Sequence, residues 1–432
     1  MSFPAYELCE AGGEDWVGQT PAGWAMTPLK YIADFVNGAA FKPDEWDEVG
    51  TPIIRIQNLN GGNDFNFYAG EVDPRHHVVA GDLLFGWSGN RGTSFGPFRW
   101  SGAGLHYLNQ HIFKVESIRC DKQWLYWCLK GVTEYVEQEA HGIIGMVHVT
   151  KGRLTSIKVP LPSRHEQRAI AAFLDRETAK IDALVEAQRR LIELLKEKRQ
   201  AVISHAVTKG LDPSAPMKDS SVEWLGQVPA HWDLERAKFI FSRSDLPPPE
   251  DAEVVTCFRD GQVTLRRNRR EDGFTFAVLE VGYQGIQPGQ LVLHSMDAFA
   301  GAIGVSDSAG KCSPEYLVCD PLNEQTSAAY YGLLLRLMAL RGFILAVCPS
   351  VRERAPRIRF PDFGDLLLPR PPEAEQSAIA AHIARETAKL DTLCEVAEAA
   401  SAVLQERRAA LISAAVTGKI DVRGLVQMTE AA

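Results

Sequence analysis

Two long stretches of the chain carry apolar residues at alternating steps of about three and four. The first runs Ile170, Leu174, Ile181, Leu184, Leu191, Leu195 and Val202, with Glu177, Gln188 and Lys198 at the skipped positions. The second runs Ile379, Ile383, Leu390, Leu393, Ala397, Ala400, Leu404 and Leu411, with Glu386 and Arg407 at its polar positions. A 3.5-residue repeat held for about five heptads predicts helices that bury a seam against a partner helix. Pro160-Leu161-Pro162 and Pro369-Arg370-Pro371-Pro372 precede them. Ser163 is placed to cap the first, with Glu166 three residues on in the capping-box position. Gly210 and Pro213-Ser214-Ala215-Pro216 end it and begin a linker. At ~1.5 Å per residue such a helix is roughly 65–70 Å long and cannot bury its stripe alone. The simplest pairing sets the second helix antiparallel to the first. The alternative is that each packs on the core of its own domain.

Outside these helices the pattern changes. Pro52–Ile56, Gly81–Phe85, Glu253–Cys257 and Gln290–His294 read as short strands, and Leu125–Gln138 and Ala329–Leu345 as helices. The mixture predicts an α+β fold rather than alternating βαβ units. The expected order is a tail (1–14), a first α+β domain (15–162), the first long helix (163–209) and a linker (210–222). A second α+β domain (223–371), the second long helix (372–418) and a tail (419–432) follow.

The chain is also written twice. EQRAIAAFLDRETAKIDAL from Glu166 and EQSAIAAHIARETAKLDTL from Glu375 agree at 13 of 19 positions, a step of 209 residues. Lys198-Arg199 and Ala206-Val207-Thr208 match Arg407-Arg408 and Ala415-Val416-Thr417. Trp16-Val17-Gly18-Gln19-Thr20-Pro21-Ala22-Gly23-Trp24 matches Trp224-Leu225-Gly226-Gln227-Val228-Pro229-Ala230-His231-Trp232 at a step of 208. Two blocks in nearly one register make this a duplication of a whole domain plus its connector. Between the blocks Gly81–Phe85 still aligns with Gly289–Leu293, and Gly96 with Gly304, while most other residues differ. Two like scaffolds with unlike surfaces suggest two binding events of one kind with different targets.

Composition narrows the class. The 432 residues are 45% hydrophobic and 23% charged, as in a globular protein of two or three domains. The first residues lack the basic and apolar regions of a secretory signal, and Gly332–Val347, broken by Arg336 and Arg341, is too short to span a bilayer. Eight cysteines without a C-x-x-C pair read as free, mostly buried thiols in a reducing cytosol. A formal charge of −9 argues against a protein that coats nucleic acid indiscriminately. It is compatible with a DNA reader whose basic groups are local.

Candidate DNA contacts are therefore sought as local groups. In the first domain these are Arg55, Gln57, Asn58, Asn90, Arg91 and Arg99, with Trp87 and Trp100 nearby. In the second, Arg266-Arg267-Asn268-Arg269-Arg270 and Arg352, Arg354, Arg357 and Arg359 form the densest basic clusters. Arginine and asparagine suit bidentate contacts to guanine and adenine. Trp16, Trp24, Trp224 and Trp232 read as core anchors. Neither a P-loop nor a G-x-G-x-x-G opening a helix occurs. There is also no Asn/Asp-Pro-Pro-aromatic stretch to hold a base for methylation, and His76, His77, His106 and His111 lack carboxylates at metal spacing.

The repeated Pro-x-Pro, Glu-Gln-x-x-Ile-Ala and Glu-Thr-Ala-Lys-x-Asp-x-Leu motifs, with Ile-Ser-x-Ala-Val-Thr at the end of each helix, resemble those of type I restriction-modification specificity subunits. The resemblance covers nearly the whole chain. It implies two target recognition domains, each reading one half of a bipartite site in double-stranded DNA. The helices would form an antiparallel coiled coil that sets the spacer and docks two modification (methyltransferase) subunits, with restriction (translocase/nuclease) subunits as further partners. S-adenosylmethionine, ATP and Mg would be bound by those partners, and this chain would hold no cofactor, no metal and no catalytic residue. It implies a cytoplasmic protein of a prokaryote with no membrane partner. The competing reading is a non-catalytic coiled-coil scaffold whose two domains bind protein or glycan.

Overall fold

The computed structural model describes residues 3–139, 146–269, 281–347 and 357–425. The helices in chain order are α1 (Lys122–Glu139), α2 (Lys151–Ser156), α3 (Arg164–Lys209), α4 (Ala328–Leu340), α5 (Phe343–Val347), α6 (Phe360–Gly364) and α7 (Glu373–Val416). The chain divides into two compact units, Met1–Arg189 with Ala399–Ala432, and Arg190–Glu398. The division falls inside the long helices, so each unit owns one mixed domain and a half of both α3 and α7.

The first unit is built on a four-stranded antiparallel sheet in the order Gly96–Arg99, Leu83–Gly86, Ile112–Glu116, Asp34–Asn37. The second unit repeats it as Ile303–Val305, Leu291–His294, Tyr316–Pro321, Phe241–Arg243. The strand order is the same, so the duplication extends through the segments whose sequences have diverged. A helix packs on the edge strand in each, α1 on Gly96–Arg99 and α4 on Ile303–Val305. The aligned glycines lie on these edges. A side chain at Gly96 would press on Thr133 of α1 at 2.8 Å, and one at Gly304 would meet the Gly261 carbonyl at 1.9 Å.

What differs is added around this scaffold. The first unit carries a second sheet, Asn66–Tyr68, Thr51–Ile54, His106–Leu108, His77–Val78, in which Thr51–Ile54 and His106–Leu108 run parallel. Among the described residues of the second unit there are instead a short hairpin, Val255–Cys257 with Val263–Leu265, and a separate antiparallel pair, Gln284–Ile286 with Gly310–Cys312.

The helix halves are part of the cores. Ile170, Phe173, Leu174 and Ile181 of α3 are buried with Trp24, Trp124 and Phe113 of the first domain and with Leu411, Ile412 and Val416 of α7. In the second unit Ile203, Ala206 and Val207 of α3 join Trp232, Tyr330, Ile379 and Ile383. Helix–helix burial and packing on the adjoining domain, posed above as alternatives, therefore occur together.

The buried line departs from the predicted seam. Ile170, Leu174, Ile181, Leu195, Ile379, Ile383 and Leu390 are buried and Leu404 partly so. Leu184, Leu191 and Leu393 are 51%, 43% and 51% exposed. The shielded positions instead follow Thr178, Ile181, Val185, Gln188, Ile192, Leu195 and Arg199 on α3, and Thr387, Leu390, Cys394, Ala397, Ser401, Leu404 and Arg408 on α7. These steps of four and three keep the 3.5 period, but the seam passes one residue beyond each exposed leucine. Thr178 and Thr387 enter it because each hydroxyl donates to a carbonyl four residues back, Leu174 at 2.6 Å and Ile383 at 2.8 Å, which satisfies a buried hydroxyl without a partner helix.

The two sets of leucines should separate in stability. Leu174→Ala is expected to destabilise by about 2–5 kcal/mol and Leu184→Ala by about 0.5 kcal/mol or less, measured by urea unfolding of the full chain. Equal losses would contradict this seam.

Candidate nucleic-acid interface

In the first unit a 3-10 turn, Ile56–Asn60, presents Arg55, Gln57 and Asn58. Asn58 is buried and fully engaged: its Nδ2 donates to the Gly62 and Asp64 carbonyls at 3.0 and 2.9 Å, and its Oδ1 accepts from the Arg55 N–H at 2.9 Å. Its side chain builds the turn. Arg55 is half-buried, stacks over Trp46 at 4.8 Å and donates to Asn66 Oδ1 at 2.6 Å. Gln57 is exposed and donates to the Asp64 carbonyl at 3.3 Å.

Asn90 and Arg91 lie at the turn that follows the short strand Ser88–Asn90. The Asn90 carbonyl accepts from the N–H groups of Thr93, Ser94 and Phe95, which leaves its side chain at an exposed tip. Arg91 donates to the Glu137 carbonyl at 2.7 Å, and the Gly92 N–H to the Glu137 carboxylate at 3.0 Å, so α1 holds the turn. Beside it Trp87 stands among His111, Phe113 and His148 at 5.4, 5.8 and 4.8 Å between ring centroids. His111 and His148 are exposed and extend this face beyond the residues singled out from sequence.

Arg99 is tied to the first long helix. Its guanidinium lies 4.0 Å over Tyr126 and donates to Asp175 of α3 at 3.2 Å; Trp127 Nε1 donates to the same carboxylate oxygen at 3.0 Å. A guanidinium between an aromatic face and a carboxylate on the long helix fastens domain to helix. Next to it, burial reinforced by the Glu137 carboxylate pushes the Glu134 carboxyl up to about 7, against the pull of Arg408 and Lys130.

In the second unit Arg266, Arg267 and Asn268 form a 3-10 turn after the strand Val263–Leu265, and Arg269 follows it. Arg266 donates to Thr256 Oγ1 at 3.4 Å, Arg267 pairs with Glu253 at 2.9 Å, and Asn268 donates to Thr264 Oγ1 at 2.8 Å. Arg269 pairs with Asp260 at 2.6 Å and lies 4.3 Å over the Phe258 ring. Arg266 and Arg269 line an open cleft of about 710 Å³ with Phe258, Arg259, Asp260, His294, Asp297 and Tyr316. Arg267 and Asn268 are not among its walls. Arg357 pairs with Glu315 at 3.5 Å. Arg270, Arg352 and Arg354 lie outside the described residues.

The cleft residues Arg259, Asp260, His294 and Asp297 were not singled out from sequence. Phe258-Arg259-Asp260-Gly261 between two β-branched runs is the available signal, since Asp-Gly in that setting marks a hairpin tip. Ranking clusters by arginine density passes over a lone arginine on a tight turn.

The family of the type I restriction modification DNA specificity domain matches residues 21–194. The specificity subunit of the type I restriction enzyme EcoBI from Escherichia coli is 29% identical over 189 residues, 43% of this chain and 39% of that protein. The EcoDI specificity subunit, also from Escherichia coli, is 25% identical over 328 residues, 69% of this chain and 70% of that protein. The chain is thus similar, over the aligned residues, to type I restriction enzyme specificity subunits. The EcoBI alignment spans well under half of that relative's length. A solved structure described as the structural basis of complex assembly and conformational transition of the type I R-M system superposes with a TM-score of 0.62 at 15% identity. It covers 93% of this chain and 99% of that one, which establishes a shared fold. Among the described residues no helix is long and apolar enough to cross a membrane.

The perturbed Glu134 gives a signed pH prediction. Between the ordinary glutamate range and about pH 7 the folded protein keeps a proton that the unfolded chain releases, so this group lowers stability as pH rises through that window. Glu134→Gln should therefore raise stability at pH 8 by roughly 1–3 kcal/mol and leave it unchanged near pH 4, measured by urea unfolding at both values. A gain of equal size at both would show that charge is not the cause.

Proposed function

We propose that the chain is the DNA-reading subunit of a type I restriction-modification complex, each mixed domain reading one half of a bipartite site in double-stranded DNA. The observation that carries this reading is the repeated sheet order under loops that have diverged. A common scaffold with different turns at the same place serves two targets of one chemical class. The family supplies that class, and turns rich in Arg, Asn and Gln suit base edges.

In this reading α3 and α7 form an antiparallel coiled coil that fixes the spacer and docks two modification subunits. Support comes from the 3.5-residue period of shielded positions and from ion pairs in each unit, Asp182 with Arg408 at 2.8 Å and Arg199 with Asp391 at 3.2 Å. Within the second unit Gly210, just past the end of α3, also lies beside Glu375 near the start of α7, the contact expected of opposed chains. Methyl transfer and ATP-driven steps, with S-adenosylmethionine, ATP and Mg, fall to partner subunits, and this chain contributes recognition alone. Local arginines balanced by carboxylates fit an acidic reader whose partners clamp the phosphates.

If the helices act as a ruler, four residues inserted between Leu184 and Leu195 should lengthen the spacer by one or two base pairs, because ~6 Å of helix is set against ~3.4 Å per pair. Mapping methylated adenines in cells that carry the variant reads this directly. An unchanged spacer with intact half-sites would end the ruler proposal.

A further inference from the structure

We infer that Arg259, held by Asp297, is the guanine-reading residue of the second half-site. The inference rests on the DNA-reading function proposed above and assigns it to a side chain.

Three observations carry it. First, the turn that bears Arg259 is rigidly seated. The Phe258 N–H donates to the Gln262 carbonyl and the Gly261 N–H to the Phe258 carbonyl, at 2.8 and 2.9 Å. Gly261 has φ +90°, and its carbonyl sits against Gly304 of the sheet where any side chain would collide. Arg336 of α4 donates to the Arg259 carbonyl at 3.4 Å. The backbone at Arg259 is thereby fixed by both sheet and helix, which base reading requires.

Second, the side chain is aimed yet available. The Arg259 side chain is 68% exposed, and among the described residues one Nη2–Oδ1 contact of 2.9 Å ties it to Asp297. A guanidinium has five N–H donors in a fixed fork, so one contact leaves an edge for the O6 and N7 acceptors of guanine. Asp297 is placed in turn: its N–H donates to the His294 carbonyl at 3.0 Å, and its N–H and that of Met296 lie 3.3 Å from His294 Nδ1.

Third, the charge balance of the cleft disfavours phosphate. Asp260 and Asp297 stand among Arg259, Arg266 and Arg269, and both Arg259 and Arg269 are already paired with them. A neutralised guanidinium gains little from a phosphate, whose attraction is chiefly charge, but keeps its directional bonds to a base. Asp297 is thus a positioning residue that also suppresses indiscriminate binding.

The test is selection of bound duplexes from a randomised library by the full chain assembled with its modification subunits. Wild type, Arg259→Ala, Asp297→Asn and, as a comparison outside the cleft, Arg267→Ala are compared. The expected result is that Arg259→Ala loses roughly tenfold or more preference for guanine at one position of the second half-site. The first half-site, unchanged, reports an assembled and folded complex. Asp297→Asn should keep that guanine as the favoured base with weaker discrimination, and should steepen the dependence of log affinity on log salt by about one. Loss of affinity spread evenly over all sequences in Arg259→Ala, with the salt dependence reduced by about one, would make Arg259 a phosphate contact and overturn the assignment. An unchanged guanine preference in that variant would overturn the assignment while leaving the bipartite reader intact. A wild-type complex that enriches no split sequence would sink both.

Discussion

One clasp, built twice, holds each mixed domain to its helix. Trp24 Nε1 donates to Glu166 at 3.4 Å and Trp232 Nε1 to Glu375 at 3.0 Å. The neighbouring glutamine completes it. Gln167 donates to the Pro162 carbonyl and accepts from the Asp121 N–H, at 2.8 and 2.7 Å; Gln376 donates to the Pro371 carbonyl and accepts from the Ser327 N–H, at 2.8 and 2.9 Å. Both glutamines are buried, where an amide left without partners costs about 1–3 kcal/mol. The clasp therefore joins three places distant in sequence: the opening tryptophan, the start of α1 or α4, and the first turn of the long helix. Everything else in a unit can change while these three points stay fixed.

That constraint explains what the sequence made legible. The Trp-x-Gly-Gln-x-Pro-Ala-x-Trp and Glu-Gln blocks survive in both halves because each supplies one side of the same bond. The duplication could be read from them, and the two long helices and the α+β composition from the patterns of apolar residues around them. The seam could not be read to the residue. At Leu184-Val185, Leu191-Ile192 and Leu393-Cys394 two adjacent apolar residues compete for one buried position, and the structure exposes the leucine each time. The decision lies upstream, at Thr178 and Thr387, whose hydroxyls bond to their own helix and so occupy the seam while scoring as polar.

The candidate interface was legible by region and much less by residue. Composition cannot distinguish an arginine that reads from one that fastens. Arg99 is consumed by Asp175 and Tyr126, and Asn58 by its own turn; in both cases the partner is far in sequence or supplied by backbone. Conversely Arg259 stands alone in sequence. Its significance comes from a glycine on a neighbouring strand and an aspartate 38 residues away, neither of which any local pattern announces.

The acidic balance of the chain then acquires a physical role. A reader that searches duplex DNA gains nothing from arginines that grip any phosphate, since nonspecific attraction competes with the target in proportion to the number of available sites. Pairing guanidiniums with carboxylates, as at Glu253–Arg267, Asp260–Arg269 and Asp297–Arg259, removes much of that attraction while keeping the donors oriented. The cost is weaker binding overall, which a subunit can accept when its partners supply the backbone contacts. Under the proposed function a net charge of −9 and a specificity role would be parts of one arrangement, with discrimination concentrated in this chain and grip delegated to partner subunits.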